Sequence, residues 1–205
     1  MNAKFLTLDG IDGAGKTTQL QVIRNWFAQR ELPVLFTREP GGTPVGEAMR
    51  RLLLDPGTRI GLCAETLLVF AARAQHLEEV ILPALDDGVS VVSDRCTDAT
   101  FAYQGHGRGL PEAEIAALEN WVQGSLRPDL TILLDVPLAV SLQRIEANRD
   151  KDRFEQEPSA FFTRVRSGYL KRAAEAPQRY AVIDSNRDKA LVRRDIEAAL
   201  ERLYG

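Results

Sequence analysis

The chain has 205 residues, 44% of them apolar and 27% charged, the balance of an ordinary globule that can bury one sizeable core as a single domain over residues 1–205. Its formal net charge of −3 argues against bulk nucleic-acid binding, so any anion it holds must meet cations gathered locally. The cysteines, Cys63 and Cys96, lie far apart without metal-type spacing, no apolar run reaches a membrane span, and the first strand begins too early for a signal peptide; a cytoplasmic protein bound to neither membrane nor nucleic acid is expected.

The first apolar run, Phe5–Asp9, reads as a strand, and Leu20, Ile23 and Phe27 recur beyond it at helical spacing. Between them, Gly10-Ile11-Asp12-Gly13-Ala14-Gly15-Lys16-Thr17 fits G-x-x-x-x-G-K-[ST] in full, with Thr18 following. Glycine lets the main chain aim successive N–H groups at phosphate oxygens. Lys16 adds a point charge, Thr17 offers a hydroxyl to Mg²⁺, and the helix that starts here turns its positive end toward the same anion. Further strands are predicted at 33–37, 89–93, Leu130–Asp135 and Tyr180–Asp184, separated by helical patterns that include 65–85, Leu138/Leu142/Ile145 and Val192/Ile196/Ala199/Leu203. The alternation predicts an α/β three-layer P-loop NTPase fold, a parallel five-stranded sheet covered by helices on both faces.

Ligands of such sheets bind beyond the carboxyl ends of the strands, where Asp9, Arg38, Glu39, Asp94, Arg95, Asp135 and Asp184 stand. Asp135 reads equally well as a helix cap. Asp94 is suited to help hold hydrated Mg²⁺ while Arg95 grips a phosphate. A second, acceptor phosphate calls for planar guanidinium groups, and Arg50 and Arg95 are candidates; on spacing alone Arg50, beside Arg51, reads as a solvated helix residue. The charge-dense segment 148–157 reads as a lid whose Arg149 and Arg153 bring positive charge over the γ-phosphoryl and whose closure excludes water. His76 and His106 have no nucleophile or metal partner in the sequence and read as surface or structural residues.

Four blocks run through nearly the whole chain: Asp9 to Thr18, Thr37-Arg38-Glu39-Pro40-Gly41-Gly42-Thr43, Ser93-Asp94-Arg95 with Ala102-Tyr103-Gln104-Gly105, and Asp152-Arg153-Phe154-Glu155. In content and order they resemble the thymidylate kinase family, in the bacterial subtype whose lid supplies the arginines. The resemblance implies transfer of the ATP γ-phosphoryl to dTMP with Mg²⁺, giving dTDP for dTTP synthesis, by a homodimer. It implies that Lys16, Arg95, Arg153 and Asp12 are catalytic and that Gly10, Ile11, Asp12, Gly13, Ala14, Gly15, Lys16, Thr17, Thr18 and Arg149 hold the donor. Thr17 and Asp94 would serve the metal. On the acceptor side, Asp12 would face the sugar 3′-hydroxyl and Arg38, Arg50 and Arg95 would surround the phosphate, with Glu39 also among the acceptor-binding residues. Thr100 and Gln104 would meet the base, Phe70 would stack on it and Arg73 would donate to its O4. In many members the stacking Phe stands four before the Arg, a place held here by Val69.

The main chain of 183–187 is positioned for the adenine. A P-loop kinase of another nucleoside monophosphate or of a deoxynucleoside is the alternative. A GTPase-like switch fits poorly, because no Asn-Lys-x-Asp signature occurs and Asp94 is followed by Arg95 rather than by the D-x-x-G of such switches.

Overall fold

The computed structural model describes residues 3–146 and 151–205. Its sheet has the order β2-β3-β1-β4-β5 with every neighbouring pair parallel. The strands are β1 (Phe5–Asp9), β2 (Val34–Arg38), β3 (Ser90–Asp94), β4 (Leu130–Asp135) and β5 (Tyr180–Asp184). β2 and β3 each start and end one residue later than the sequence pattern suggests. Pro33 has no N–H to give a ladder, the Val89 N–H is taken by the Ala84 carbonyl, and Arg38 pairs in register with Asp94. That shift carries Arg38 and Asp94 to the lip of the sheet.

Alternation along β1 shows both faces covered. Phe5 packs with Val91, Leu77 and Ile81 in one apolar cluster, whereas Leu6 and Leu8 belong to the main cluster with Ile23, Trp26 and Phe27 of α1 (Lys16–Gln29). The same cluster takes Phe162, Val165 and Tyr169 from α8 (Ser159–Glu175) and Val192, Ile196 and Leu200 from α9 (Lys189–Tyr204). The remaining helices are α2 (Pro44–Leu54), α3 (Leu62–His76), α4 (Leu82–Asp86), α5 (Thr97–Thr100), α6 (Glu112–Gln123) and α7 (Leu138–Glu146). π-helical turns, Leu77–Ile81 and Phe101–Gly107, continue α3 into α4 and extend α5. The long helical stretch read around 65–85 is thus α3, a π turn and α4.

Below the site a buried charge knot ties four segments together. Asp98 on α5 accepts from Arg172 of α8 at 2.7 Å, from Arg179 just before β5 at 2.6 and 2.9 Å, and from the Thr131 hydroxyl of β4 at 3.1 Å. Burial alone would push its carboxyl up; the hydrogen bonds and charge of Arg179, with Arg172, hold it well below the usual carboxylate range instead. Asp98→Ala leaves these guanidiniums without their anion, and the expected loss is about 3–5 kcal/mol, read as a lower urea midpoint at pH 7. An unchanged midpoint would show the knot to be energetically neutral.

Candidate active site

Between β1 and α1 the chain turns on three glycines with positive φ, Gly10 at 142°, Gly13 at 76° and Gly15 at 95°. A Cβ on Gly10 would lie 2.6 Å from the Leu134 carbonyl oxygen, and one on Gly13 2.6 Å from that of Ser141. The loop is therefore pressed against β4 and α7 on one side, leaving its other side for a ligand. Ile11 and Ala14 are buried and support it from behind. Lys16 lies back over the loop, with its ammonium 3.3 Å from the Gly10 carbonyl oxygen and 3.9 Å from the Asp12 carboxylate. Burial pushes the Lys16 ammonium down, as does the neighbouring Arg95 charge.

This loop forms one wall of a cleft of about 510 Å³. Gly13, Gly15, Lys16 and Thr17 line it together with Arg38, Glu39, Arg50, Asp94 and Arg95. Gly10, Ile11, Ala14 and Thr18 are not part of its wall. Arg95, at φ 68°, follows β3 and sends its guanidinium onto the Asp12 carboxylate, with the Tyr103 hydroxyl at 2.9 Å. Tyr103 donates in turn to Asp12 at 2.8 Å. Burial would raise the Asp12 carboxyl, but Arg95 and Lys16 outweigh it and hold the group below its ordinary value. Arg50 donates to the Pro40 carbonyl at 2.9 Å and Arg38 is forked onto Glu47 at 3.1 and 2.8 Å. Arg50 is half-buried on the cleft wall, not a solvated helix residue; burial, then the neighbouring Arg38, lowers its pKa.

At the far end stands Arg73 of α3, fully buried. Its Nε donates to Glu39 at 2.6 Å and one Nη to the Thr100 hydroxyl at 3.1 Å, while its Nη1 has no partner among the described residues. His76 sits behind, between the Glu39 carboxylate at 3.2 Å and the Thr37 hydroxyl at 2.6 Å. Burial works against the Glu39 carboxylate, yet Arg73 and His76 bring its pKa below the ordinary value. Thr100 and Gln104 complete this end of the wall.

Phe70 and Arg153 are not brought to the cleft. Phe70 packs with Phe101 and Ile115 in a separate apolar cluster, and Val69 lines the cleft in its place. Adjacent residues on a helix point about 100° apart, and the register that aims Arg73 inward also aims Val69, four residues earlier. Arg153 is strapped to α2 and α3: its N–H and Nε donate to the Leu54 and Leu53 carbonyls at 3.0 and 2.8 Å, and its guanidinium lies 2.7 Å from Glu65. Asp152, Phe154 and Glu155 of the lid segment do line the cleft. Arg149 lies outside the described residues. Asp135, read equally as a helix cap, forks onto Arg166 at 2.6 and 2.7 Å.

Among the described residues no cluster of His, Cys, Asp and Glu suits a fully protein-caged metal. Asp94, however, has a buried carboxylate oxygen without a partner among the described residues, and it shares the cleft with the exposed Thr17. That set fits Mg²⁺, which keeps most of its ligands as water and phosphate oxygens and asks the protein for one or two.

A family model described as thymidylate kinase matches residues 8–196. The chain belongs to the thymidylate kinase family. It is 67% identical to the thymidylate kinase of Neisseria meningitidis serogroup A over 205 residues, all of both chains. With that of Chromobacterium violaceum it shares 57% over 200 residues, 98% of this chain and 94% of the relative. The crystal structure of thymidylate kinase from Ehrlichia chaffeensis superposes with a TM-score of 0.79 at 31% identity, covering 98% of this chain and 99% of that one.

This thymidylate kinase family member has site residues that the sequence pattern does not single out. Arg144 of α7 lines the cleft and donates to the Gly13 carbonyl at 2.8 Å, while Ser141, three residues earlier, donates to that of Asp12 at 2.7 Å. Their spacing on one helix face beside the lid was the available signal. Glu65 gave none, since a buried polar residue on a helix looks in sequence like an exposed one; His76, read as a surface or structural residue, is fully buried behind Glu39.

Asp9, fully buried at the root of the loop, accepts from the Tyr169 hydroxyl at 3.0 Å, and its other oxygen has no partner among the described residues. Burial, with Asp98 nearby, pushes its carboxyl up to about 7. Between about pH 4 and pH 7 the folded protein then keeps a proton that the unfolded chain, with an ordinary aspartate near 3.9, has released. Stability due to this group falls as pH rises through that window, by at most about 1.4 kcal/mol per pH unit. Asp9→Asn should flatten the slope, so that the variant gains on the parent from pH 4 to pH 7 in urea titrations; parallel curves would refute the assignment.

Proposed function

We propose that this protein transfers the γ-phosphoryl group of ATP to dTMP, giving dTDP for dTTP synthesis. One observation carries the reading: a single cleft is lined at once by the glycine-lysine-threonine loop, by the Arg38, Arg50 and Arg95 guanidiniums, and by Arg73, Thr100 and Gln104 at its far end. Two anion sites and a polar recess in one cavity suit a triphosphate and a monophosphate of a base with carbonyl edges better than they suit a lone nucleotide switch.

In this reading residues 10–18 cradle the donor phosphates with main-chain N–H groups, and Lys16 moves from its own loop carbonyls onto them. The acceptor phosphate oxygen is already a nucleophile at neutral pH, so the protein needs no covalent intermediate and acts by alignment and charge neutralisation. Arg50 and Arg95 hold the acceptor, supported by Arg38. When the monophosphate takes Arg95, the Asp12 carboxylate is freed of one cation and is available to the sugar 3′-hydroxyl. Mg²⁺, held by Thr17 and Asp94, would supply positive charge against the developing charge on the phosphoryl oxygens.

Arg153 reaches the phosphoryl group only after leaving Glu65, which makes lid closure an exchange of one anion for another. Phe70, buried in its own cluster, supports Arg73 from behind with its ring 4.8 Å from the guanidinium, and Val69 provides the apolar contact to the base. A homodimer and a cytoplasmic setting complete the reading. Among the described residues no helix is long and apolar enough to cross a membrane. An apolar groove between α3, α4 and α6, lined by Leu67, Phe70, Leu82 and Trp121, supports the dimer. Trp121 is 82% exposed there, beside the exposed Leu67 and Leu82.

The direct test is formation of dTDP from ATP, Mg²⁺ and dTMP by the purified protein. Lys16→Ala should lower kcat by at least about 10³-fold while the circular dichroism and melting temperature stay near those of the parent. A variant with near-normal turnover would remove the donor site from this reading. Sedimentation equilibrium should give twice the chain mass, and Trp121→Glu should shift it to one; a monomeric parent would end the dimer proposal.

A further inference from the structure

Glu65 is a carboxylate with no exposure at all, on the face of α3 that looks toward the π turn carrying Gln104. Its Oε1 accepts from the Gln104 side-chain amide at 2.8 Å and from Arg108 Nε at 2.8 Å; its Oε2 lies 2.7 Å from the Arg153 guanidinium. The guanidiniums compensate the buried anion and keep it in place. That is more than a core needs. A buried glutamine beside an apolar helix would have served packing alone, without the cost of burying a charge.

The chemical consequence lies in Gln104. A primary amide has a donor end and an acceptor end of almost the same shape, and nothing in the glutamine itself decides which faces the cleft. A carboxylate can only accept hydrogen bonds. Glu65 therefore requires the NH₂ end, and turning the amide over would set two oxygens against each other in a dry interior. Gln104 is 3% exposed and lines the cleft, so the end left for a ligand includes the carbonyl oxygen, an acceptor. Arg73 lines the same end of the cleft, and its Nη1, without a partner among the described residues, is a pure donor. The recess thus shows a bound base an acceptor next to a donor. Thymine meets that pattern with its ring N3–H and its O4. Cytosine presents the opposite pattern, a bare N3 and an amino group.

We propose that Glu65 is a positioning residue that fixes the polarity of the Gln104 amide and thereby sets the choice of thymine over cytosine. The inference rests on the dTMP reading above and adds to it the residue that enforces base selection. It makes no claim on the methyl group, because uracil has the same N3–H and O4 edge.

Glu65→Gln is the isosteric test, since a glutamine at 65 can face the Gln104 amide in either orientation. Dissociation constants for dTMP, dUMP and dCMP are measured by calorimetry for the parent, Glu65→Gln and Arg108→Met. In Glu65→Gln the preference for dTMP over dCMP should drop about tenfold or more, the size expected when a mismatched buried polar contact is relieved. The dTMP to dUMP ratio should not move. Arg108→Met removes one cation from Oε1 but leaves the Gln104 amide facing an oxygen that can only accept, and its dTMP to dCMP ratio should stay at the parent value. If Glu65→Gln does not fold, Gln104→Met, which has no amide to orient, should show the same loss of preference. A preference for dTMP over dCMP that survives in the folded variants, or affinities for all three nucleotides that weaken alike, overturns the lock. A parent protein that makes no dTDP overturns the proposed function instead, so the two failures are distinguishable.

Discussion

The contact of the Arg95 guanidinium with the Asp12 carboxylate and the Tyr103 hydroxyl joins the end of β3, the phosphate-type loop and the π turn at one point. None of these groups is well solvated, and a buried charge that loses its partner is far more costly than a surface one. The three segments are consequently held in mutual register before any ligand arrives. Lys16 belongs to the same arrangement, lying against Asp12 and the loop carbonyls. In the proposed reaction an entering anion would meet cations whose positions are already fixed and replace an internal counter-ion rather than gather scattered side chains from solvent.

The same device recurs around the cleft. Glu39 sits between Arg73 and His76, Glu65 between Arg108 and Arg153, and Asp98 between Arg172 and Arg179. Each is a carboxylate withdrawn from water whose basic partners lie far from it in sequence. On the cleft wall itself, the Arg73 guanidinium is held in place by the Glu39 carboxylate. A net charge close to neutral is what such pairing leaves behind.

The fold was largely legible because its signals are local. Alternation of apolar strands with amphipathic helices implied the parallel sheet, and the spacing of Gly10, Gly15, Lys16 and Thr17 implied the loop that ends β1. Arg38, Arg95 and Gln104 were legible in the motif blocks, Arg73 and Thr100 only through the family resemblance those blocks carry, and all stand on the cleft wall. What failed to show was rotational. Val69 and Phe70 are neighbours, and only the angle at which α3 settles on its surroundings decides which one faces inward. The position of Arg153 depends on Glu65, remote in sequence, and Arg144 becomes part of the site because Gly13 is pressed against α7. Contacts between distant segments leave no local pattern to read.

The chain's tryptophans occupy opposite extremes. Trp26 is 2% exposed, packed edge-on to Phe27 in the main core, and Trp121 stands out from α6 almost fully hydrated. Indole emission shifts with the polarity around the ring, so the protein carries a blue-emitting reporter of its interior and a red-emitting one on its apolar groove. A soluble collisional quencher would extinguish the second and spare the first, allowing covering of that groove and melting of the core to be followed separately in one unlabelled sample.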